Sequence, residues 1–114
     1  MIKIYHNPRC KKSRAGLDYL KQKTTQFEVI KYLTDQPFNK ETLADVLDKT
    51  QQPIDNFIRT QESIYKQSYK GKDLSREEWL EAMVANPKLI ARPLVVKDQH
   101  AVLGDPPENI DTLF

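Results

Sequence analysis

The chain has 114 residues, of which 39% are hydrophobic and 30% are charged, with a formal net charge of +2 and one cysteine. This balance predicts a single soluble globular domain over residues 1–114 and argues against a disordered chain, a membrane protein or a nucleic-acid-binding protein. We expect a cytoplasmic protein, because the opening residues lack the apolar segment of a signal peptide, and one cysteine excludes an internal disulfide.

The first third of the chain predicts a β-α-β unit. Residues 1–5 have apolar side chains that alternate around a lysine, and this pattern predicts a strand. Residues 11–23 have apolar side chains at helical spacing and predict a helix, which only Gly16 disfavours. Residues 27–33 are rich in β-branched and aromatic side chains and predict a second strand, parallel to the first through a right-handed crossover. Cys10 therefore lies at the turn from the first strand into the first helix.

A helical block follows. Asn39 is a predicted N-cap, Pro53 marks a second helix start, and Ser75 and Glu78 have the spacing of a capping box. The polar stretch between these helices, residues 61–73, is expected to be irregular or weakly helical. This block contributes helices but no strand.

The last part of the chain predicts a β-hairpin, with strands over 92–96 and 100–103, and then a short helix that begins near two prolines. The order β-α-β, helical block, hairpin and helix is that of a thioredoxin-like α/β sandwich. A helical insertion, over about 38–88, would separate its β-α-β unit from its C-terminal hairpin.

The position of Cys10 predicts a reactive thiolate. Unpaired N–H groups and the positive end of the dipole at a helix N-terminus stabilise a thiolate, and Arg9 and Lys11 add positive charge beside it. Ser13 lies three residues after Cys10, where its hydroxyl could donate to the sulfur or to a bound oxyanion. The spacing resembles a C-x-x-C redox motif in which serine replaces the second cysteine. The alternative, an inert buried thiol, fits a polar loop that contains Pro8 poorly.

Two other chemistries fit the sequence less well. A zinc site would need more ligands than His6, Cys10 and His100, so we expect no metal. A phosphatase loop of the C-x5-R type needs arginine where this chain has Gly16. Thiol redox chemistry is therefore the preferred interpretation.

Three further residues are candidates for the same site. His6 is either a hydrogen-bonding loop residue or a group that tunes the thiolate, and Arg59 is either a cation at a helix C-terminus or a ligand of an anion. Arg92 precedes Pro93, a candidate cis-proline. In thioredoxin-like folds a cis-proline before the third strand faces the active-site cysteine, which would bring Arg92 to Cys10.

Four motifs, "YHNPRCKKSR", "FIRTQESIYK", "NPKLIARPLVV" and "GDPPENI", resemble in order and spacing the glutaredoxin-coupled arsenate reductase family, which includes the Spx-type regulators. The resemblance covers essentially the whole chain and implies a thioredoxin-like fold. It implies that a cysteine attacks arsenate, that glutathione then attacks, and that glutaredoxin resolves the mixed disulfide as arsenite leaves.

The resemblance also implies residue roles. Cys10 is then the nucleophile, His6 and Ser13 support its thiolate, and Arg59 and Arg92 bind the oxyanion. Glutathione is implied as co-substrate and glutaredoxin as partner, with no bound cofactor. We expect no nucleic acid or membrane partner and a monomeric protein.

The sequence departs from the family at Asp105, which stands where the reductases carry a third arginine, and at Lys11 and Lys12, which replace small residues. The carboxylate favours an alternative substrate, a glutathione mixed disulfide or a protein disulfide instead of arsenate. A second alternative is a regulatory module of the Spx type that docks on RNA polymerase. The motif CKKS gives no intramolecular disulfide switch of the kind those regulators carry.

Overall fold

A four-stranded sheet forms the centre of the protein. The computed structural model describes residues 1–114, with strands in the order β2-β1-β3-β4: β1 (Ile2–His6), β2 (Phe27–Lys31), β3 (Leu94–Lys97) and β4 (His100–Leu103). β1 and β2 are parallel, and β3 is antiparallel to both β1 and β4. The predicted parallel pair and C-terminal hairpin are thereby confirmed.

Four α-helices surround the sheet: α1 (Lys11–Lys23), α2 (Tyr32–Asp35), α3 (Lys40–Thr50) and α4 (Arg76–Ala85). α3 and α4 begin with capping boxes in which Asn39 and Ser75 each accept a hydrogen bond from the backbone N–H three residues on. Both predicted N-caps are confirmed.

The second predicted strand, over 27–33, is two residues too long. β2 ends at Lys31, and Tyr32 begins α2 instead. The Tyr32 hydroxyl donates to the carbonyl of Ile90 at 3.0 Å, and α2 packs beside the short helix Pro87–Leu89. A contact with a segment so distant in sequence overrides the strand propensity of the aromatic side chain.

Short helices connect the longer elements. They are 3-10 helices at Ile54–Phe57, Pro87–Leu89 and Pro107–Leu113 and a π-helix at Tyr65–Tyr69. The π-helix lies in the stretch that was expected to be irregular or weakly helical, and the last 3-10 helix is the predicted C-terminal helix. No helix of the chain is both long and apolar enough to cross a bilayer.

Each face of the sheet has its own core, because side chains alternate along a strand. On one face, α1 and the last 3-10 helix cover a cluster that consists of Ile2, Ile4, Leu20, Val95, Ile110 and Leu113. On the other face, the helical block covers a cluster of 16 buried residues that includes Tyr5, Leu43, Phe57, Leu80 and Leu94. The fold is the predicted thioredoxin-like α/β sandwich.

The strand register brings distant segments to one end of the sheet. Tyr5 is paired with Leu94, and His6 with Lys31. The carboxyl ends of β1 and β2 therefore adjoin the start of β3. The loop that precedes α1 and the two residues that precede β3 both lie at this end.

Gly16 explains how α1 approaches this end so closely. A Cβ atom there would lie 2.5 Å from Cγ of Pro93 and 2.9 Å from the carbonyl oxygen of Gly104. The residue that opposed a helix on propensity is thus required by packing, since only glycine leaves room for Pro93 beneath the helix.

Candidate active site

Cys10 is the N-cap of α1, and a hydrogen-bonded loop fixes its position. Its backbone is extended (φ −95°, ψ 123°), its N–H donates to the carbonyl of Asn7 at 3.0 Å, and its carbonyl accepts from Arg14 N–H at 3.0 Å. The Oδ1 atom of Asn7 accepts from Arg9 N–H at 3.1 Å, which closes an Asx turn. The half-buried sulfur is thereby held at the free N–H groups of the helix.

The surroundings of Cys10 favour its thiolate. Burial is the largest single influence and raises the pKa of the thiol, but several groups together outweigh it and hold the pKa below its ordinary value of 9.0. These groups are the backbone N–H of Ser13, the guanidinium of Arg92 and the backbone N–H of Lys12. The N-terminus of α1 and the guanidinium of Arg92 thus stabilise the thiolate together.

His6 and Ser13 form a buried pair beneath the loop. The Nδ1 atom of His6 lies 2.8 Å from the Oγ atom of Ser13, and Asn7 N–H donates to the same oxygen at 3.0 Å. Burial, together with the positive charges of Lys21 and Lys31, lowers the pKa of His6 below its ordinary 6.5, so the imidazole is neutral at pH 7. The Ser13 hydroxyl therefore stabilises the loop through its hydrogen bonds with His6 and Asn7. The thiolate of Cys10 is stabilised by the backbone N–H of Ser13 and not by its hydroxyl.

Arg92 is almost fully buried and is held by backbone carbonyls. It is only 7% exposed, and its Nη1 atom donates to the carbonyls of Lys88 at 3.0 Å and Ile90 at 3.3 Å. Its Nε atom is buried without a hydrogen-bond partner. The Arg92–Pro93 peptide bond is cis. One edge of the guanidinium is thus anchored, while the Nε atom on the other edge is a donor without a partner.

Arg59 does not lie at a helix C-terminus. The helical segment ends at Phe57, Ile58 forms a β-bridge with Ile90, and Arg59 N–H donates to the carbonyl of Leu89 at 2.8 Å. The interpretation of Arg59 as a helix-terminal cation is therefore wrong. This backbone pairing instead directs Arg59 toward the segment that carries Arg92.

A carboxylate that the sequence interpretation missed joins the two arginines. The Oε2 atom of Glu62 accepts from Nε of Arg59 at 3.2 Å and from Nη2 at 3.1 Å, and it lies 4.0 Å from Nη2 of Arg92. Glu62 follows Arg59 by three residues in a turn, in which Glu62 N–H donates to the carbonyl of Arg59 at 3.3 Å.

Tyr32 was also missed. It is buried, and burial raises the pKa of its hydroxyl to about 12, although the nearby charges of Arg92 and Arg59 act in the opposite direction. Its bond to Ile90 supports a carbonyl that also accepts from Arg92. The sequence signal for Tyr32 was its position directly after β2, because the carboxyl end of β2 lies beside that of β1.

Asp105 is paired with a cation of the first turn of α1. Its Oδ2 atom lies 3.5 Å from Nζ of Lys12, and both side chains are partly exposed. The carboxylate of Asp105 is thus partly neutralised by the ammonium group of Lys12. Nowhere in the chain do three potential metal ligands among His, Cys, Asp and Glu come together.

A thioredoxin-like sheet with an activated thiol at a helix start, opposite a buried arginine, defines a thiol-dependent redox protein. Residues 5–113 match the ArsC family, and the chain belongs to that family.

Individual relatives agree with this assignment. The uncharacterized protein YfgD of Escherichia coli is 41% identical over 111 residues, which cover 96% of this chain and 92% of that protein. The arsenate reductase of Neisseria meningitidis serogroup A is 36% identical over 99% of this chain and 97% of its own length. The solved arsenate reductase of Vibrio cholerae superposes with a TM-score of 0.91 at 36% identity, over 99% of this chain and 97% of that one.

A more distant relative has a different role. The global transcriptional regulator Spx of Streptococcus agalactiae is 27% identical over 105 residues, which cover 91% of this chain and 76% of that protein. The better-matched relatives with named activities are reductases, and they support an ArsC-like thiol oxidoreductase.

Proposed function

We propose that this protein reduces arsenate, with Cys10 as nucleophile, Arg59 and Arg92 as ligands of the oxyanion, and glutathione and glutaredoxin as the source of electrons. One observation carries the proposal: the Cys10 sulfur lies at a helix start beside Arg92, whose Nε atom is a buried donor without a partner. The reductases of Neisseria meningitidis and Vibrio cholerae support the choice of arsenate.

In the first step the Cys10 thiolate attacks the arsenic atom. A sulfur–arsenic bond forms, and one arsenic–oxygen bond breaks, with the oxygen leaving as water after it takes a proton. Arg92 compensates the negative charge of the thiolate before the attack and that of the oxyanion afterwards. His6, which is neutral, and Ser13 hold the loop in place and take no proton from the thiol.

In the second step glutathione attacks the Cys10 sulfur as a thiolate. A sulfur–sulfur bond forms, the sulfur–arsenic bond breaks, and its electron pair stays on arsenic, which leaves as arsenite. The chain has no second cysteine to form an internal disulfide. Cys10 is therefore regenerated by glutaredoxin, whose thiolate attacks the glutathione sulfur of the mixed disulfide.

A second candidate function is reduction of a glutathione mixed disulfide without arsenate. Two carboxylates favour it, because Glu62 binds Arg59 and Asp105 replaces a family arginine. In this case the Cys10 thiolate attacks the glutathione sulfur of the mixed disulfide, a new sulfur–sulfur bond to glutathione forms, and the other sulfur leaves as a thiolate. A regulatory module of the Spx type is less well supported, since Cys10 has no partner cysteine within the chain.

The test is arsenate-dependent consumption of NADPH in an assay coupled through glutathione, glutaredoxin and glutathione reductase. Wild type is compared with Cys10→Ser and Asp105→Arg. We expect wild-type activity that falls by roughly 10⁴-fold or more in Cys10→Ser, as removal of a covalent nucleophile does.

The outcomes separate the two functions. Activity that appears only in Asp105→Arg would show a working scaffold whose natural substrate is not arsenate and would favour the glutathione disulfide. The same wild-type protein is then assayed with a glutathionylated peptide in place of arsenate. Arsenate turnover that is unchanged in Cys10→Ser would refute Cys10 as the nucleophile for arsenate, and turnover of the glutathionylated peptide that is unchanged in the same variant would refute the second function.

A further inference from the structure

Glu62 lies between the two arginines of the site, and both partners of the Arg59–Glu62 pair are largely buried. The side chain of Glu62 is 21% exposed and that of Arg59 is 17% exposed. We propose that Glu62 determines specificity by acting as an internal counter-ion: it occupies Arg59, so that free oxyanions bind weakly while an oxyanion bonded to Cys10 is retained. This inference rests on the proposed use of the site for an oxyanion.

Glu62 takes two donors of Arg59 at once. The Nε and Nη2 atoms of Arg59 both donate to Oε2, so this edge of the guanidinium is already satisfied. A free anion has to displace the carboxylate from this edge or approach another one. Displacement would leave a partly buried carboxylate without its partners, which is costly.

Glu62 also lowers the positive charge of the site. Two guanidinium groups and one carboxylate carry a net charge of +1, half of what the arginines alone would provide, and the Cys10 thiolate lowers the charge of the site further. The effect on an incoming anion is strong because charge interactions are screened less in a partly buried site than in water.

Arg92 differs from Arg59 in the hydrogen bonds that its guanidinium makes. Its Nη2 atom is 4.0 Å from Oε2 of Glu62, and its Nε atom has no hydrogen-bond partner. This edge of Arg92 therefore has no hydrogen bond to a protein oxygen, and the guanidinium already stabilises the thiolate of Cys10. Within one site, the Nε–Nη2 edge of Arg59 is bonded to Glu62, whereas the same edge of Arg92 has no hydrogen bond to a protein oxygen.

This asymmetry discriminates between two kinds of anion. An anion that only binds must compete with Glu62 for the site. An oxyanion that forms a bond to the sulfur is held at Arg92 with a high effective concentration, so it can displace Glu62 from Arg59 where a free anion cannot. The site thus favours oxyanions that react with a thiolate over unreactive ones such as sulfate.

The experiment measures how sulfate protects Cys10 from alkylation by iodoacetamide. Cys10 is the only cysteine, so one adduct in the intact mass reports one site. The variant Glu62→Gln removes the charge but keeps an oxygen that accepts from Arg59, and Glu62→Ala removes the group altogether. Glu62→Asp keeps the charge, and Glu41→Gln is the matched control at an exposed position in the first turn of α3.

We expect half-protection of Glu62→Gln and Glu62→Ala at a sulfate concentration at least about tenfold lower than for wild type, a difference of about 1.4 kcal/mol. Glu62→Asp should stay near wild type, and Glu41→Gln should match it. Rates are compared as ratios with and without sulfate at constant ionic strength, which removes any change in thiol reactivity. Equal or weaker protection in both neutral variants, or no protection in either, would overturn the proposal.

The readout separates this inference from the proposed function, because sulfate protection requires no turnover. Tighter sulfate binding in Glu62→Gln together with no arsenate turnover would uphold the role of Glu62 and reject arsenate as substrate. Arsenate turnover in wild type with unchanged sulfate protection in the variants would reject the role of Glu62 alone.

Discussion

The two halves of the candidate site are built differently. The thiolate half (His6, Cys10 and Ser13) comes from one short stretch, and its contacts are a helix start, an Asx turn and a buried pair. The arginine half (Arg59, Glu62 and Arg92) brings together two distant segments through a β-bridge and one carboxylate.

This difference separates reactivity from selectivity. The pKa of the thiol is lowered by backbone N–H groups that exist wherever α1 begins, and Arg92 adds to their effect. What the site binds depends on side chains that can be exchanged without moving the backbone of Cys10. Substitutions in the arginine half should therefore change ligands, and substitutions of His6 or Ser13 in the thiolate half should change stability.

Among substitutions that keep Cys10, the largest effect is expected from Arg92→Lys, which links the two halves. An ammonium cannot replace both the bonds to Lys88 and Ile90 and the charge beside Cys10. We expect kcat/KM for arsenate to fall about 10- to 100-fold, since hydrogen bonds with charged groups contribute about 1.5–3 kcal/mol. The pH profile of Cys10 alkylation should also shift to higher pH.

The control for this variant is Arg76→Lys, which changes an exposed arginine that pairs with Asp48. Its turnover and its alkylation profile should match wild type. An unshifted alkylation profile in Arg92→Lys would mean that the backbone N–H groups alone set the pKa of the thiol.

The next effect is expected from Gly16→Ala, which disturbs the contact between α1 and the cis-proline. The new methyl group would lie 2.5 Å from Cγ of Pro93, so the helix or the proline has to move. Overpacking of this kind costs about 1–3 kcal/mol. Urea unfolding measures the loss, and a stability equal to or above wild type, as helix propensity alone predicts, would contradict the close packing.

Ser13→Ala tests the thiolate half by itself. It leaves His6 Nδ1 and Asn7 N–H without their common partner in a buried place, at a cost of about 1–3 kcal/mol in the free energy of unfolding. The pKa of Cys10 should change little, because the backbone N–H groups remain. A pKa rise as large as that of Arg92→Lys would show that the hydroxyl acts on the sulfur directly.

A smaller effect is expected from protonation of His6. Its pKa is lowered in the folded state, so the unfolded chain binds the proton more readily, and stability should fall as the pH drops below 6.5. In the variant His100→Gln, His6 is the only histidine, and NMR can follow its imidazole. A titration midpoint of the His6 imidazole at or above pH 6.5 would contradict the prediction.

The smallest effect is expected from Lys12→Gln, which breaks the exposed pair with Asp105. Exposed ion pairs contribute about 0–1 kcal/mol, so thermal unfolding should change little. Arsenate turnover should fall modestly, because Asp105 then loses its neutralising partner. A loss of stability above about 1 kcal/mol would show that this pair holds α1 in place.

Most of the fold and the thiolate half could be predicted from the sequence. Helix spacing, N-caps and strand alternation are local properties, so the β-α-β unit, the N-caps Asn39 and Ser75 and the hairpin agree with expectation. The N-cap position of Cys10 follows from the same local pattern, since a helix start supplies N–H groups wherever it occurs.

The arginine half and the role of Gly16 were decided by the tertiary structure. Arg59 was open to two interpretations until the bridge between Ile58 and Ile90 placed it beside the Arg92 segment, and Glu62 gained its role only there. Gly16 opposed a helix on propensity and is required by Pro93. The sequence determines local backbone geometry by sterics and hydrogen bonds between neighbours, whereas the partner of a buried charge depends on which distant segments the packed core brings together.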